Sequence, residues 1–149
     1  MKTSLARIIK SFQTFATNHK QIEEFSTAMI TDMVAKNWSY PLMWIDYTDI
    51  SVSVQRGQVV ITMSIYFLDR VERDESNMTY VMSSNLLKAL DFITLYNDHE
   101  CGEGGYGFYF SDTPSLSPIV LDFDDIVSGW KLGAVIQVGY SRNEDEIPD

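Results

Sequence analysis

Gly102, Gly104 and Gly107 stand at the G-x-G-x-x-G spacing that lets a backbone come close to a pyrophosphate. That chemistry needs the loop to leave a strand and open a helix whose first turn holds the phosphate. Here the preceding segment has a helical pattern and the following one, Phe108 to Phe110, is rich in β-formers. Asp98, Glu100 and Glu103 also set negative charge where a phosphate would lie, so a flexible turn accounts for the glycines better. Asp122, Asp124 and Asp125 are hard oxygen ligands of the kind calcium and magnesium prefer. A calcium loop needs acids at alternating positions, a central glycine and a distal glutamate, and Asp124, Asp125 and Ile126 do not continue that pattern. A solvated strand end is the better reading, with a small metal-dependent hydrolase built on Asp122 or Asp124 as an alternative.

The soft ligands are few. His99 and Cys101 are near one another and His19 closes the first helical segment, which falls short of the four ligands of a structural zinc site. A Cys101 thiol beside His99 in an acidic loop would have its pKa raised, which disfavours a thiolate nucleophile. No base, nucleophile and orienting group share a recognisable arrangement. The expectation is a protein that is not an enzyme, with no catalytic, cofactor-binding or metal residues.

Aromatic side chains offer more. Trp38, Tyr40, Trp44 and Tyr47 surround Pro41, and Tyr106, Phe108, Tyr109 and Phe110 form a second group. Rings that stack on single-stranded nucleic acid are interleaved with Lys and Arg, and Lys36 is the one cation near either run. Core packing accounts for some of these rings and a protein interface for the others. Trp38, Tyr40, Trp44, Tyr106, Phe108, Tyr109 and Trp130 are the candidate subunit or partner contacts.

The whole chain must position those groups. Its 149 residues are 45% hydrophobic and 21% charged, the composition of one folded domain with a core of its own. One cysteine excludes an internal disulfide, and no apolar run is long enough for a membrane span or a signal core. A soluble cytosolic protein is therefore expected. The net charge of −10 is uneven: nine Lys and Arg stand against ten Asp and Glu up to Asn97, and two against eleven beyond it. An acidic surface repels phosphate, so tight nucleic-acid binding is not expected.

Leu5, Ile8, Ile9, Phe12, Phe15 and Ala16 recur at helical spacing and predict an amphipathic helix over residues 4 to 18, capped by Ser4 or Thr3. Residues 21 to 36 have a weaker period and read as a second helical piece or an irregular arm. Residues 42 to 48 follow Pro41 and suit a strand. Ile50, Val52 and Val54, then Val59, Ile61, Met63, Ile65 and Phe67, alternate with polar residues on either side of Arg56 and Gly57. That pattern predicts a hairpin with one buried face. Beyond a polar loop, Ser76 or Asn77 can cap a helix in which Met78, Met82, Leu86, Ala89, Leu90 and Ile93 form the stripe. Residues 106 to 110, 119 to 123 and 132 to 140 read as further strands. The result is an α+β domain over residues 1–141, with helices on one face of an antiparallel sheet, and a flexible acidic tail over 142–149.

Several segments carry a family resemblance: Asn18-His19, Tyr40-Pro41-Leu42-Met43-Trp44, Ile65-Tyr66-Phe67-Leu68-Asp69, Leu90-Asp91-Phe92-Ile93 and Ser128-Gly129-Trp130 before an alternating strand. In this succession the chain resembles small structural proteins of tailed bacteriophages, in particular those of Bacteroidetes hosts. The element order is similar to the tail-terminator and tail-completion fold. The resemblance implies a virion protein with no catalytic residues and no cofactor. It implies a homo-oligomeric ring at the head-tail junction or tail end, in contact with portal (connector) and tail proteins. DNA would pass through without specific binding, and the ring would be assembled in the host cytoplasm away from any membrane. From a different class, the residues alone also suit an intracellular adaptor that binds a protein partner along a sheet edge.

Overall fold

The computed structural model describes residues 5–27, 38–55, 58–72, 74–97, 108–110, 114–122 and 126–139. The glycine loop with His99, Cys101 and Tyr106, the turn at 56 and 57, Asp124, Asp125, the proposed caps Thr3 and Ser4, and the tail 142–149 lie outside them.

Helix α1 (Leu5–Asn18) buries Ile8, Ile9, Phe12 and Ala16, the stripe its sequence period predicts. Of the segment 21 to 36, residues 28 to 36 lie outside the described residues, and in the described part Glu24–Ser26 is a short strand, β1, where a helical piece or an irregular arm is expected. β1 runs parallel to β2 (Leu42–Ile45), the one parallel pair among the described residues, where the other strand pairs are antiparallel. The Tyr40–Pro41 bond that leads into β2 is cis. β2 is shorter than expected because Asp46 caps a 3-10 turn at Tyr47–Asp49, accepting hydrogen bonds from the Thr48 amide at 3.0 Å and the Thr48 hydroxyl at 2.6 Å.

The predicted hairpin forms as β3 (Ser51–Gln55) and β4 (Gln58–Val71). β4 is long enough, at 14 residues, to pair along one side with β3 near its start and with β2 farther on. Helix α2 (Met78–Asn97) follows. Asn77 stands at its cap, its carbonyl accepting from Val81 N. The Asn77 side chain is spent on the strand exit, where its oxygen accepts from the Glu72 amide at 2.8 Å. The last three strands are β5 (Phe108–Phe110), β6 (Ser115–Asp122) and β7 (Ile126–Gly139). β7 begins six residues before the expected start at Leu132, so Ser128-Gly129-Trp130 lies inside the strand rather than before it. It pairs with β4 along its full length and carries β5 and β6 in turn on its other side.

The resulting seven-stranded sheet runs β1-β2-β4-β7-β5, with β3 beside β4 and β6 beside β7. Helices α1 and α2 lie on one face, over Met43, Ile45, Met63, Ile65, Phe67, Leu132, Ala134 and Ile136, which completes the expected α+β architecture. Phe12 and Phe15 of α1 meet Phe92 of α2 edge to face at 4.9 and 5.1 Å, and Phe12 meets Tyr96 at 5.2 Å. Such ring pairs add to the burial that holds a helix layer together.

This aromatic cluster decides the rotation of α2. Its buried side is Val81, Asn85, Lys88, Ala89, Phe92 and Tyr96, whereas Leu90 of the expected stripe is 43% exposed. The helix is turned by about one residue, roughly 100°, from the reading by aliphatic residues. Burial of Phe92 and Tyr96 outweighs that of Leu90, at the cost of enclosing two polar groups. Asn85 donates to Val81 O at 2.9 Å, and Lys88 Nζ donates to Asn85 Oδ1 at 3.4 Å. Burial pushes the Lys88 ammonium below its usual pKa, against a weaker opposing pull from Asp69. On the other face of the sheet Leu42, Trp44, Tyr66, Leu68 and Val127 make a second, smaller core.

Candidate interaction surfaces

The predicted contact residues separate once placed on the fold. Trp44 is fully buried in β2, stacked on its cross-strand neighbour Tyr66 with ring centroids 4.5 Å apart. It is a core residue rather than a surface contact, because the face opposite the helices has its own apolar cluster to fill. Trp38 and Tyr40 are half-buried at the margin of that cluster. Arg70 ties them down, its guanidinium 5.1 Å from the centre of the Tyr40 ring and donating to Trp38 O at 3.4 Å. Trp130 is half-buried on the helix face, where its indole N–H donates to Met82 O at 2.8 Å and pins α2 to β7. Phe108 and Tyr109 lie in β5, opposite Val138 and Gln137 of β7.

Two polar constellations that the sequence did not single out are formed by distant segments. In the groove between α1 and α2, of roughly 600 Å³, His19 Nε2 is 3.0 Å from Asp91 Oδ2. His19 Nδ1 accepts the Gln21 amide at 3.2 Å, so the ring donates through Nε2 and has no lone pair left for a substrate proton. The Ser11 hydroxyl is bonded to the Tyr96 hydroxyl at 2.6 Å and stands two helical turns, about 12 Å, from His19. The two pairs therefore brace the helices as separate links and do not form a nucleophile–base relay.

The second constellation lies near the start of β3. Asp49 accepts from the Ser64 hydroxyl at 2.5 Å and lies 3.8 Å from Lys131 Nζ, itself 6.0 Å from the centre of the Tyr66 ring. Burial, then the negative charges of Asp46 and Asp49, push the Tyr66 phenol above its usual pKa. These contacts join the 3-10 turn to β4 and β7. Among the described residues, no group of three His, Cys, Asp or Glu is placed to hold a metal ion, and no helix is long and apolar enough to cross a membrane.

The exposed apolar surface lies elsewhere. Val52 and Val54, which the alternation of the hairpin assigned to a buried face, are 58% and 72% exposed. Their neighbours Ile61 and Val59 in β4 are packed in or against the main core, but among the described residues β3 is at the margin of the sheet and neither α1 nor α2 covers Val52 and Val54. One sequence signal pointed there: Ser-Val-Ser-Val-Gln has no charge, unlike the Lys-bearing strands with which proteins usually protect an edge. No family model, curated protein or solved structure matched this chain when it was compared with them.

Proposed function

We propose that this chain is a structural subunit of a tailed-bacteriophage virion, assembled as a ring in the neck or at the head-proximal end of the tail. The ring lets DNA slide through and contacts portal and tail proteins above and below. The observation that carries the reading is the form of the sheet, which the helices cover on one face and which ends in an exposed, charge-free edge strand, β3. A ring repeats one heterologous contact between two different patches, and a sheet with an open margin supplies such a patch without disturbing the core. The acid-rich segment after Asn97 suits a wall past which DNA must move without sticking. The family resemblance in the sequence points the same way.

The exposed β3 edge also suits an adaptor that binds an extended peptide as an added strand. Size-exclusion chromatography with light scattering separates the two readings. A closed ring, alone or on mixing with portal and tail proteins, supports the virion subunit. A particle that stays monomeric or dimeric in that mixture while binding a peptide supports the adaptor.

A further inference from the structure

The sheet contains a second relationship that involves β3. At one end of the sheet β3, β4, β7 and β5 lie side by side in aligned rows. Ser53 is opposite Val60, Val60 opposite Gln137, and Gln137 opposite Tyr109. The neighbouring row runs Val52, Ile61, Ile136 and Phe110. β3 and β5 thus bound the sheet at the same level, and among the described residues β3 pairs with β4 alone and β5 with β7 alone. Each step across this ladder is antiparallel, so β5 runs opposite to β3. Rotation about an axis parallel to the strands preserves strand direction. The β5 of a rotated copy therefore arrives antiparallel to β3, with its helix-covered face on the same side.

From these features we infer that β3 of one subunit accepts β5 of a second copy as its next strand, so that one sheet continues from subunit to subunit. This inference rests on the ring reading and names the two patches that meet. With no shift along the axis, Ser53 faces Tyr109 of the neighbour and Val52 faces its Phe110, a β-branched residue against an aromatic one. A slip of one residue would turn Val52 and Val54 to the opposite face, so the alternation sets the register. Charge agrees with this choice. Neither Ser-Val-Ser-Val-Gln nor Phe-Tyr-Phe carries an ionisable charge at neutral pH, in a chain whose net charge is −10. Copies of the protein repel over most of their surfaces and meet without that repulsion along these two edges.

The test uses the full chain with Cys101→Ser as background. Ser53→Cys with Tyr109→Cys, oxidised at a concentration where the protein is oligomeric, should give a ladder of disulfide-linked species on a non-reducing gel. Each single cysteine variant should give none. Separately, Val52→Lys with Val54→Lys should convert the oligomer to one chain by light scattering while circular dichroism stays unchanged, since both side chains are already exposed. A ring that persists in the double-lysine variant and gives no ladder overturns the inference and leaves the ring reading standing. A linked dimer from Ser53→Cys alone means that β3 pairs with itself, which overturns both. A wild-type chain that remains monomeric at all concentrations overturns the self-pairing, and the mixing experiment with portal and tail proteins then decides the ring reading alone.

Discussion

Gly129 of β7 lies against the backbone of Phe67 in β4 so closely that a Cβ at this position would fall inside the carbonyl group, 2.8 Å from its carbon. Flexible side chains can yield to such a group, but a backbone carbonyl in the centre of a sheet cannot. Gly129→Ala should therefore cost about 3 kcal/mol or more and lower the soluble yield. Gly133, four residues on, is a control. Its Cβ would meet the rotatable Ser115 hydroxyl at 3.0 Å and the Ser115 carbonyl oxygen at an ordinary 4.0 Å, so Gly133→Ala should remain within about 1 kcal/mol of wild type. Denaturant unfolding of the two variants gives the comparison, and equal stabilities would contradict this packing.

Ile61 and Leu90 make a second pair. The alternation of the hairpin places Ile61 in the core and the aliphatic period of α2 places Leu90 there, and each should then cost about 2–5 kcal/mol as alanine. The structure keeps that cost for Ile61, at 6% exposure, and removes it for Leu90, at 43%. Leu90→Ala should lower stability by less than about 1 kcal/mol, while Phe92→Ala should cost about 3–5 kcal/mol. Thermal melts of the three variants would reveal a wrong rotation of α2 as a large loss at Leu90.

These positions show how far local pattern reaches. The α+β class, α1, the hairpin and the extent of α2 follow from periodicity, because each depends on residues close together in the chain. The rotation of α2 depends on Phe12 and Phe15, more than sixty residues away, and no period within the helix can report them. Gly129 falls before the strand expected over 132 to 140 for a similar reason. Glycine is common in turns, and only the proximity of Phe67 explains one inside a strand. The exposure of Val52 and Val54 depends on how far the helices extend over the sheet, and the constellations at His19 and Asp49 join segments that sequence spacing cannot bring together.

Lys88 and Asn85 are enclosed together beneath α2. The depressed pKa of Lys88 means that the unfolded chain binds its proton more tightly than the folded one. The sign follows directly: stability rises with pH through the window between the depressed value and the ordinary lysine value near 10.5, and at neutral pH the fold bears the cost of a desolvated ammonium. Lys88→Met alone removes that cost but strands the Asn85 carboxamide oxygen, a loss of about 1–3 kcal/mol. Asn85→Leu with Lys88→Met removes both polar groups and should stabilise the protein at pH 7 by about 1–4 kcal/mol. Its stability should also be flatter than that of wild type as pH rises toward the ordinary lysine value near 10.5. A double variant less stable than wild type at pH 7 would show that the buried pair is net favourable.

Tyr66 titrates with the opposite sign. Burial and the nearby Asp46 and Asp49 favour its neutral form, so its contribution is fully present below the unfolded pKa of about 10 and is lost as pH rises through the higher folded value. Difference absorbance between wild type and Tyr66→Phe should place this phenol's ionisation above that of a free tyrosine. The Phe variant should also lose less stability between neutral pH and about pH 11. An ordinary titration for this phenol would mean that Trp44 and the acidic 3-10 turn do not shield it.

Duplex DNA gives a test that reaches beyond the fold. Arg7, Lys10 and Lys20 are exposed on or next to α1, which carries no acidic residue, so one side of the molecule is mildly basic while the chain beyond Asn97 has two cations against eleven acids. Tight, salt-sensitive duplex binding by proteins commonly engages about 6–10 phosphates, more than three such cations can neutralise. The expected result is no retardation of duplex DNA at submicromolar protein, even at low ionic strength, where screening is weakest and any attraction is most visible. Retardation that disappears steeply with added salt, and that weakens when Arg7 and Lys10 are replaced by alanine, would identify α1 as a phosphate-binding face. The passive wall proposed for a DNA-conducting ring would then have to be abandoned.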